Sequence, residues 1–179
     1  PYEFTRNCWV YNNIIADNGL HPTPSFQRSN ILIGSQNTGH LGSSLRIWNN
    51  IIYGGGTCEL QCDTDQEPTL PYSIKNNIIY ARTGEPYIIN EIAAEFWDAD
   101  YNIWYNAGTA PTIDANAINS DPLFAVTPPA IIEEFELQAL SPGIDAGTSG
   151  VSTYVTDDFL GKTKPVNTTY DIGAYEDQG

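Results

Sequence analysis

A chain of 179 residues has room for one domain with a continuous core, and 41% hydrophobic composition is ordinary for a globular protein. Seven Lys and Arg against 22 Asp and Glu give a net charge of −15 and a pI near 4.1. That surface repels nucleic acid, polyanionic glycans not bridged by a divalent cation, and anionic membranes, and no apolar run is long enough to span a bilayer.

The chain begins at Pro1 and has no Met and no visible leader, which reads as a processed product or a fragment. Few lysines and many Asn, Thr and Tyr suit a secreted or surface protein. The first recognisable unit is Val10-Tyr11-Asn12-Asn13-Ile14-Ile15, closed by Gly19. A loop rich in Pro, Ser and His follows over residues 21–30, then a strand candidate at 30–33 and a Gly, Ser and Asn stretch up to Ser44. The phrase returns as Ile47-Trp48-Asn49-Asn50-Ile51-Ile52 and runs into Tyr53-Gly54-Gly55-Gly56. Residues 57–71 read as a loop bulging from the coil. A third statement, Ile74-Lys75-Asn76-Asn77-Ile78-Ile79, precedes a strand candidate at 87–92. Asp100-Tyr101-Asn102-Ile103-Trp104 keeps half of the phrase, and the unit closes at Asn106-Ala107-Gly108.

The second Asn recurs at 13, 50, 77 and 102, so the steps are 37, 27 and 25 residues. Such periods with short β-type segments mark a solenoid, and the Leu offsets or long 3.6-residue patterns of other repeat classes are absent. Period-two alternation puts Val10 with Ile15, Ile47 with Ile52 and Ile74 with Ile79 on one side. The expected fold is all-β, a right-handed parallel β-helix of about four coils over residues 1–120. Residues 121–179 are expected to form a terminal coil and a covering segment of the same domain. Asn13, Asn50, Asn77 and Asn102, stacked at a bend whose left-handed backbone Asn tolerates, would form an amide ladder.

Three cysteines need places. The leading expectation is a short disulfide between Cys58 and Cys62, with two free thiols as the alternative. His21 and His40 lack ligand spacing to that pair, which disfavours zinc. Cys8, equivalent to Leu45, Tyr72 and Trp97, is expected to be a small buried hydrophobe.

Downstream the register changes to Asp121-Pro122-Leu123-Phe124, then Ser141-Pro142-Gly143-Ile144-Asp145-Ala146-Gly147, Asp158-Phe159-Leu160-Gly161-Lys162-Thr163-Lys164-Pro165 and Asp171-Ile172-Gly173-Ala174-Tyr175-Glu176. This order resembles the C-terminal end of bacterial secreted or surface β-helix proteins of the pectate-lyase-like superfamily, over most of residues 118–176. Lys164 stands where the family's common form has Arg. The resemblance implies the fold; the same ending sits on lyases, hydrolases, adhesins and surface proteins, so it implies no single activity.

The outward row Ile14, Ile51, Ile78 and Ile103 is apolar, and either the C-terminal segment or another subunit must cover it. Tyr11 and Trp48, also outward, are candidates for stacking on a glycan. Asp63, Asp65 and Glu67 alternate hard oxygen ligands and form a candidate calcium site, against the plain reading of a solvated acidic loop. Asn167-Thr168-Thr169 is a formal glycosylation acceptor. Polysaccharide elimination, implied by the resemblance, needs clustered carboxylates and a tuned Arg or Lys; Arg46 and Lys75 share no row. Hydrolase-type Asp pairs are absent too, since Tyr11, Trp48 and Lys75 are the equivalents of Asp100. No catalytic residue is assigned.

A short stack opening at Pro1 leaves strand edges free, which points to upstream coils or end-on association. The expected function is therefore an extracellular, non-catalytic structural module that assembles with itself or neighbouring surface domains. The alternatives are a fragment of a polysaccharide lyase or glycoside hydrolase, and a glycan-binding module.

Overall fold

The computed structural model describes residues 8–20, 29–34, 44–63, 70–90 and 94–178. The chain is all-β, a parallel β-helix whose successive turns stack into three parallel sheets. The first coil is β1 (Cys8–Tyr11), β2 (Ile14–Ala16) and β3 (Ser29–Gly34). The second is β4 (Leu45–Trp48), β5 (Ile51–Tyr53) and β6 (Cys58–Asp63). The third is β7 (Tyr72–Lys75), β8 (Ile78–Tyr80) and β9 (Ile88–Asn90); the fourth contributes β10 (Trp97–Asp100) and β11 (Ile103–Tyr105). Sheet A runs β1-β4-β7-β10, sheet B β2-β5-β8-β11 and sheet C β3-β6-β9. A partial further turn adds single bridges from Asp114 to Ala99 and from Ile118 to Ile103.

The phrase Asn-Asn forms the bend between sheets A and B, and its two asparagines have different tasks. The first takes the left-handed conformation, at φ of 55° for Asn12, 50° for Asn49 and 56° for Asn76, with Tyr101 at 57° in the fourth coil. This corrects the placement of that conformation within the phrase: it belongs to the residue before each ladder asparagine. The second Asn turns inward. Asn13 Nδ2 donates to Asn50 Oδ1 at 3.1 Å, Asn50 Nδ2 to Asn77 Oδ1 at 3.0 Å and Asn77 Nδ2 to Asn102 Oδ1 at 2.9 Å. Each acceptor also takes the backbone N–H of the preceding rung, at 2.9–3.0 Å. These bonds satisfy amides that would otherwise be buried and unpaired.

Around the ladder the interior is apolar. Ile47 and Ile74 from sheet A, Ile52, Ile79 and Trp104 from sheet B, and Leu60 and Cys62 from sheet C form one buried cluster. Period two requires this arrangement, since each strand sends alternate side chains into the coil. Leu60 and Cys62 belong to β6, so residues 58–63 are not a loop: they are the central strand of sheet C, hydrogen-bonded to β3 and β9. The acidic and polar letters of that stretch masked its alternation.

Residues after Ser120 fold back over sheet B. Ile51, Ile78 and Ile103 pack against Phe124, Phe135, Ile172, Ala174 and Tyr175, with Ile14 partly covered at the edge. Three of the four members of the outward apolar row are thus buried within this chain. The first asparagines pin the cover down: Asn76 exchanges hydrogen bonds with Thr148 at 2.8 and 2.9 Å, Asn49 Nδ2 donates to the Asp171 carbonyl at 3.2 Å, and Asn12 Nδ2 to that of Asp157 at 2.6 Å. Gly173, at φ 106°, donates its N–H to the Asn76 carbonyl; a Cβ there would lie 2.8 Å from Ile78 Cδ1.

Candidate functional site

Charged residues beneath the cover are used in holding it. Lys164, 2% exposed, donates to the Gly173 and Tyr175 carbonyls at 3.0 and 2.7 Å and lies 3.5 Å from Glu176 Oε2. Glu176 accepts the N–H groups of Val166 and Asp171, and Asp158 those of Leu160, Lys162 and Glu176. Burial pushes the Lys164 ammonium down to about 8 and the Asp171 and Glu176 carboxyls upward, each toward its neutral form. Asp171 Oδ1 also accepts the Asp145 N–H at 2.7 Å, so the last three of the C-terminal motifs meet in one buried polar knot.

A second buried acid holds the corner between sheets B and C. Glu59 is fully buried; its carboxylate accepts from Asn30 Nδ2 and from the Gly55 N–H. Asn30 in turn donates to the Tyr53 carbonyl and accepts from Asn18. Desolvation pushes the Glu59 carboxyl up to about 7, although the bonds from Asn30 and Gly55 and the charge of Arg82 pull it down.

Next to this corner lies an open groove of about 810 Å³ whose lining includes Tyr53, Tyr80, Asp17, Arg82, Glu85 and Pro128–Ala130. The two tyrosine rings lie 4.7 Å apart. Arg82 is held by two bonds, Nε to the Gly54 carbonyl at 2.8 Å and Nη2 to Asp17 Oδ1 at 3.0 Å. Aromatic rings beside planar, hydrogen-bonding charged groups are the surfaces that stack on and bond to polyhydroxylated rings.

The stacking pair expected from sequence is not available as a pair. Trp48 is only 6% exposed, because Val151, Val155 and Tyr170 of the covering segment bury it; Tyr11 remains 40% exposed. What faces solvent instead is Trp9, on the same side of β1 as Tyr11, beside Tyr154 at 4.9 Å between ring centroids. Arg46 sits among Trp9, Trp48 and Tyr154, 5.5 to 5.9 Å from each ring centre, a cation–π cluster that ties the cover to sheet A.

Cys58 and Cys62 are both buried and are not joined to each other, which overturns the expected disulfide. Four residues along an extended strand separate Cα atoms by about 13 Å, beyond the roughly 7 Å limit of a disulfide. Cys8 is exposed, contrary to the buried role expected of it, because its place in the inward row falls in the first coil. Of the calcium candidates, Asp65, Glu67 and the Asp63 side chain lie outside the described residues. Among the described residues no group of three or more His, Cys, Asp and Glu is placed to hold a metal. Asn167 is exposed, its side-chain amide 3.3 Å from Asp145 Oδ2. No helix among the described residues is long and apolar enough to cross a membrane.

Sequence reading missed four groups: the pinning asparagines 12, 49 and 76, the corner acid Glu59, the arginine cluster, and Asp114 below the ladder. The first was visible as a letter shared by three of the four statements of the phrase; the others depend on contacts between residues far apart in the chain. No protein-family model matches this chain, and no curated protein matches it.

Proposed function

We propose that the chain is a non-catalytic structural module of the bacterial secreted or cell-surface β-helix kind, related to the pectate-lyase-like superfamily its C-terminal motifs resemble. In this reading it associates end-on, through the first coil, with another copy or with a neighbouring surface domain in a filament, matrix or adhesin. One observation carries the reading. Among the described residues, β1, β2 and β3 are each paired on one side only, and Asn13 donates to Asn50 while its own Oδ1 has no donor from a preceding rung. Open parallel edges and an unfinished amide ladder are a template for a further coil. Side-on assembly through the Ile row loses its motive, since that row is already covered.

Size-exclusion chromatography with light scattering, followed by electron microscopy, tests this. The mass should rise with concentration, and Val10→Asp in the inward row of the first coil should suppress the rise. A monomer at every concentration overturns it.

The groove at Tyr53 and Tyr80 favours a second reading, a module that binds or cleaves glycans. Depolymerisation assays on pectate, alginate and neutral glycans, with and without Ca²⁺, together with glycan-array binding by wild type and Tyr80→Ala, separate it from the first.

A further inference from the structure

The segment that buries the Ile row carries an uncovered apolar surface of its own. Ile131 and Ile132 are 57% and 49% exposed, Phe159 and Leu160 36% and 50%. Both pairs are organised by Tyr175. Its ring meets that of Phe159 edge-on at 5.6 Å, and its hydroxyl donates to the Ile132 carbonyl at 2.8 Å. Alongside Tyr175 is a recess of about 160 Å³ lined by Glu136, Lys162, Asp171, Glu176 and Asp177; counting Lys164, 3.5 Å from Glu176, four carboxyl groups face two ammonium groups, a net acidic site. Glu133, Glu136 and Asp158 also lie close enough to bear electrostatically on the Tyr175 hydroxyl.

Exposed apolar side chains alone specify no partner. Here the charge around them does. A second copy would bring another chain of net charge −15, and an anionic lipid surface would be repelled in the same way. The complementary object is apolar on one side and cationic at its margin. We propose that the surface around Tyr175 docks a basic amphipathic segment of another protein. Its apolar side chains would rest on Ile131, Ile132, Phe159 and Leu160, and one Lys or Arg would enter the acidic recess. This surface and its partner are distinct from the coil edge, so the inference stands whether or not end-on association occurs.

The probe is a fluorescein-labelled helical peptide with Leu on one face and Arg on the other, titrated with the full chain and followed by anisotropy. Saturable binding is expected, weakened about tenfold or more by Leu160→Asp, by Ile131→Asp and by Glu136→Lys, and unchanged by Thr112→Asp on the closing segment of the coil. Circular dichroism checks that each variant is folded; Glu136→Lys alters an exposed charge and keeps the test open if the apolar variants fail to fold. Four results would overturn the proposal: no binding; equal binding by wild type and all three variants, which is bulk charge attraction; Leu160-dependent binding to neutral phosphatidylcholine vesicles; or self-association abolished by Leu160→Asp.

Discussion

The ladder makes a quantitative prediction, because its rungs are chemically alike and differently placed. Asn77 is fully buried. Its Nδ2 donates to the Ile47 carbonyl at 2.7 Å and to Asn102 Oδ1, and its Oδ1 accepts both the backbone and side-chain N–H of Asn50. Asn77→Ala would leave the Asn50 backbone N–H buried without an acceptor, at about 1–3 kcal/mol, and would remove further bonds worth about 1 kcal/mol each. The total is about 3–5 kcal/mol, a large share of the roughly 5–15 kcal/mol that keeps a domain folded. Asn13 is exposed, and among the described residues nothing donates to its Oδ1, so Asn13→Ala should cost about 1 kcal/mol or less. Urea unfolding followed by tryptophan fluorescence, with the slope checked for constancy, measures both. Equal costs for the two variants, or an Asn77→Ala cost below about 1 kcal/mol, would show that the stacked amides are geometric company and do not hold the coils together.

Glu59 should make stability fall as pH rises. Desolvation pushes its folded carboxyl from the usual 4.5 up to about 7, so below 4.5 there is no penalty, and above 7 burying the charge costs about 3 kcal/mol. Glu59→Gln, which loses one good bond to Asn30, should gain about 2 kcal/mol at pH 8 and lose about 1 kcal/mol at pH 4, read from unfolding curves at both. Gly173→Ala forces a Cβ into Ile78 at a left-handed position and should cost about 2 kcal/mol, with the covering segment becoming the first site of proteolysis. Of the three thiols, Cys8 should react with a thiol reagent in the native state, and Cys58 and Cys62 only on unfolding; intact mass should correspond to no disulfide.

Legibility in the sequence followed the range of the interactions. The stacking register of sheets A and B could be read from Asn-Asn-Ile-Ile, because each coil repeats the same local problem: a sharp bend flanked by two inward aliphatics. Of sheet C the outer strands β3 and β9 could be read, at 30–33 and 87–92, but the central one could not, since Cys-Glu-Leu-Gln-Cys-Asp places acids and an amide in its alternate positions and looks like a loop until β3 and β9 flank it. The fate of Trp48 was hidden for a different reason. Its strand position is outward, as period two requires, but exposure depends on Val151, Val155 and Tyr170, more than a hundred residues away in the chain. Glu59 is outward by period as well, yet fully buried under the Gly54-Gly55 turn. Pattern gives direction along a strand; only tertiary contact decides what lies in that direction.

Asp114 shows how the ladder stops. An asparagine rung accepts at Oδ1 and donates at Nδ2, so it passes the chain of hydrogen bonds on to the next coil. A carboxylate only accepts. Asp114 Oδ2 takes the Asn102 N–H at 3.1 Å, the Asn102 side-chain amide at 2.8 Å and the Trp104 indole N–H at 2.9 Å, and among the described residues Oδ1 is buried with no partner. Asp114→Asn would keep the acceptor but weaken three charge-assisted bonds, and would put an amide with two donors where Oδ1 now meets no partner. The expected cost is about 1–3 kcal/mol, with faster hydrogen exchange at the Asn102 amide than at Asn77. If Asp114→Asn were instead as stable as wild type, the burial cost of the charge would outweigh its three bonds. The aspartate would then not be the element that closes the ladder.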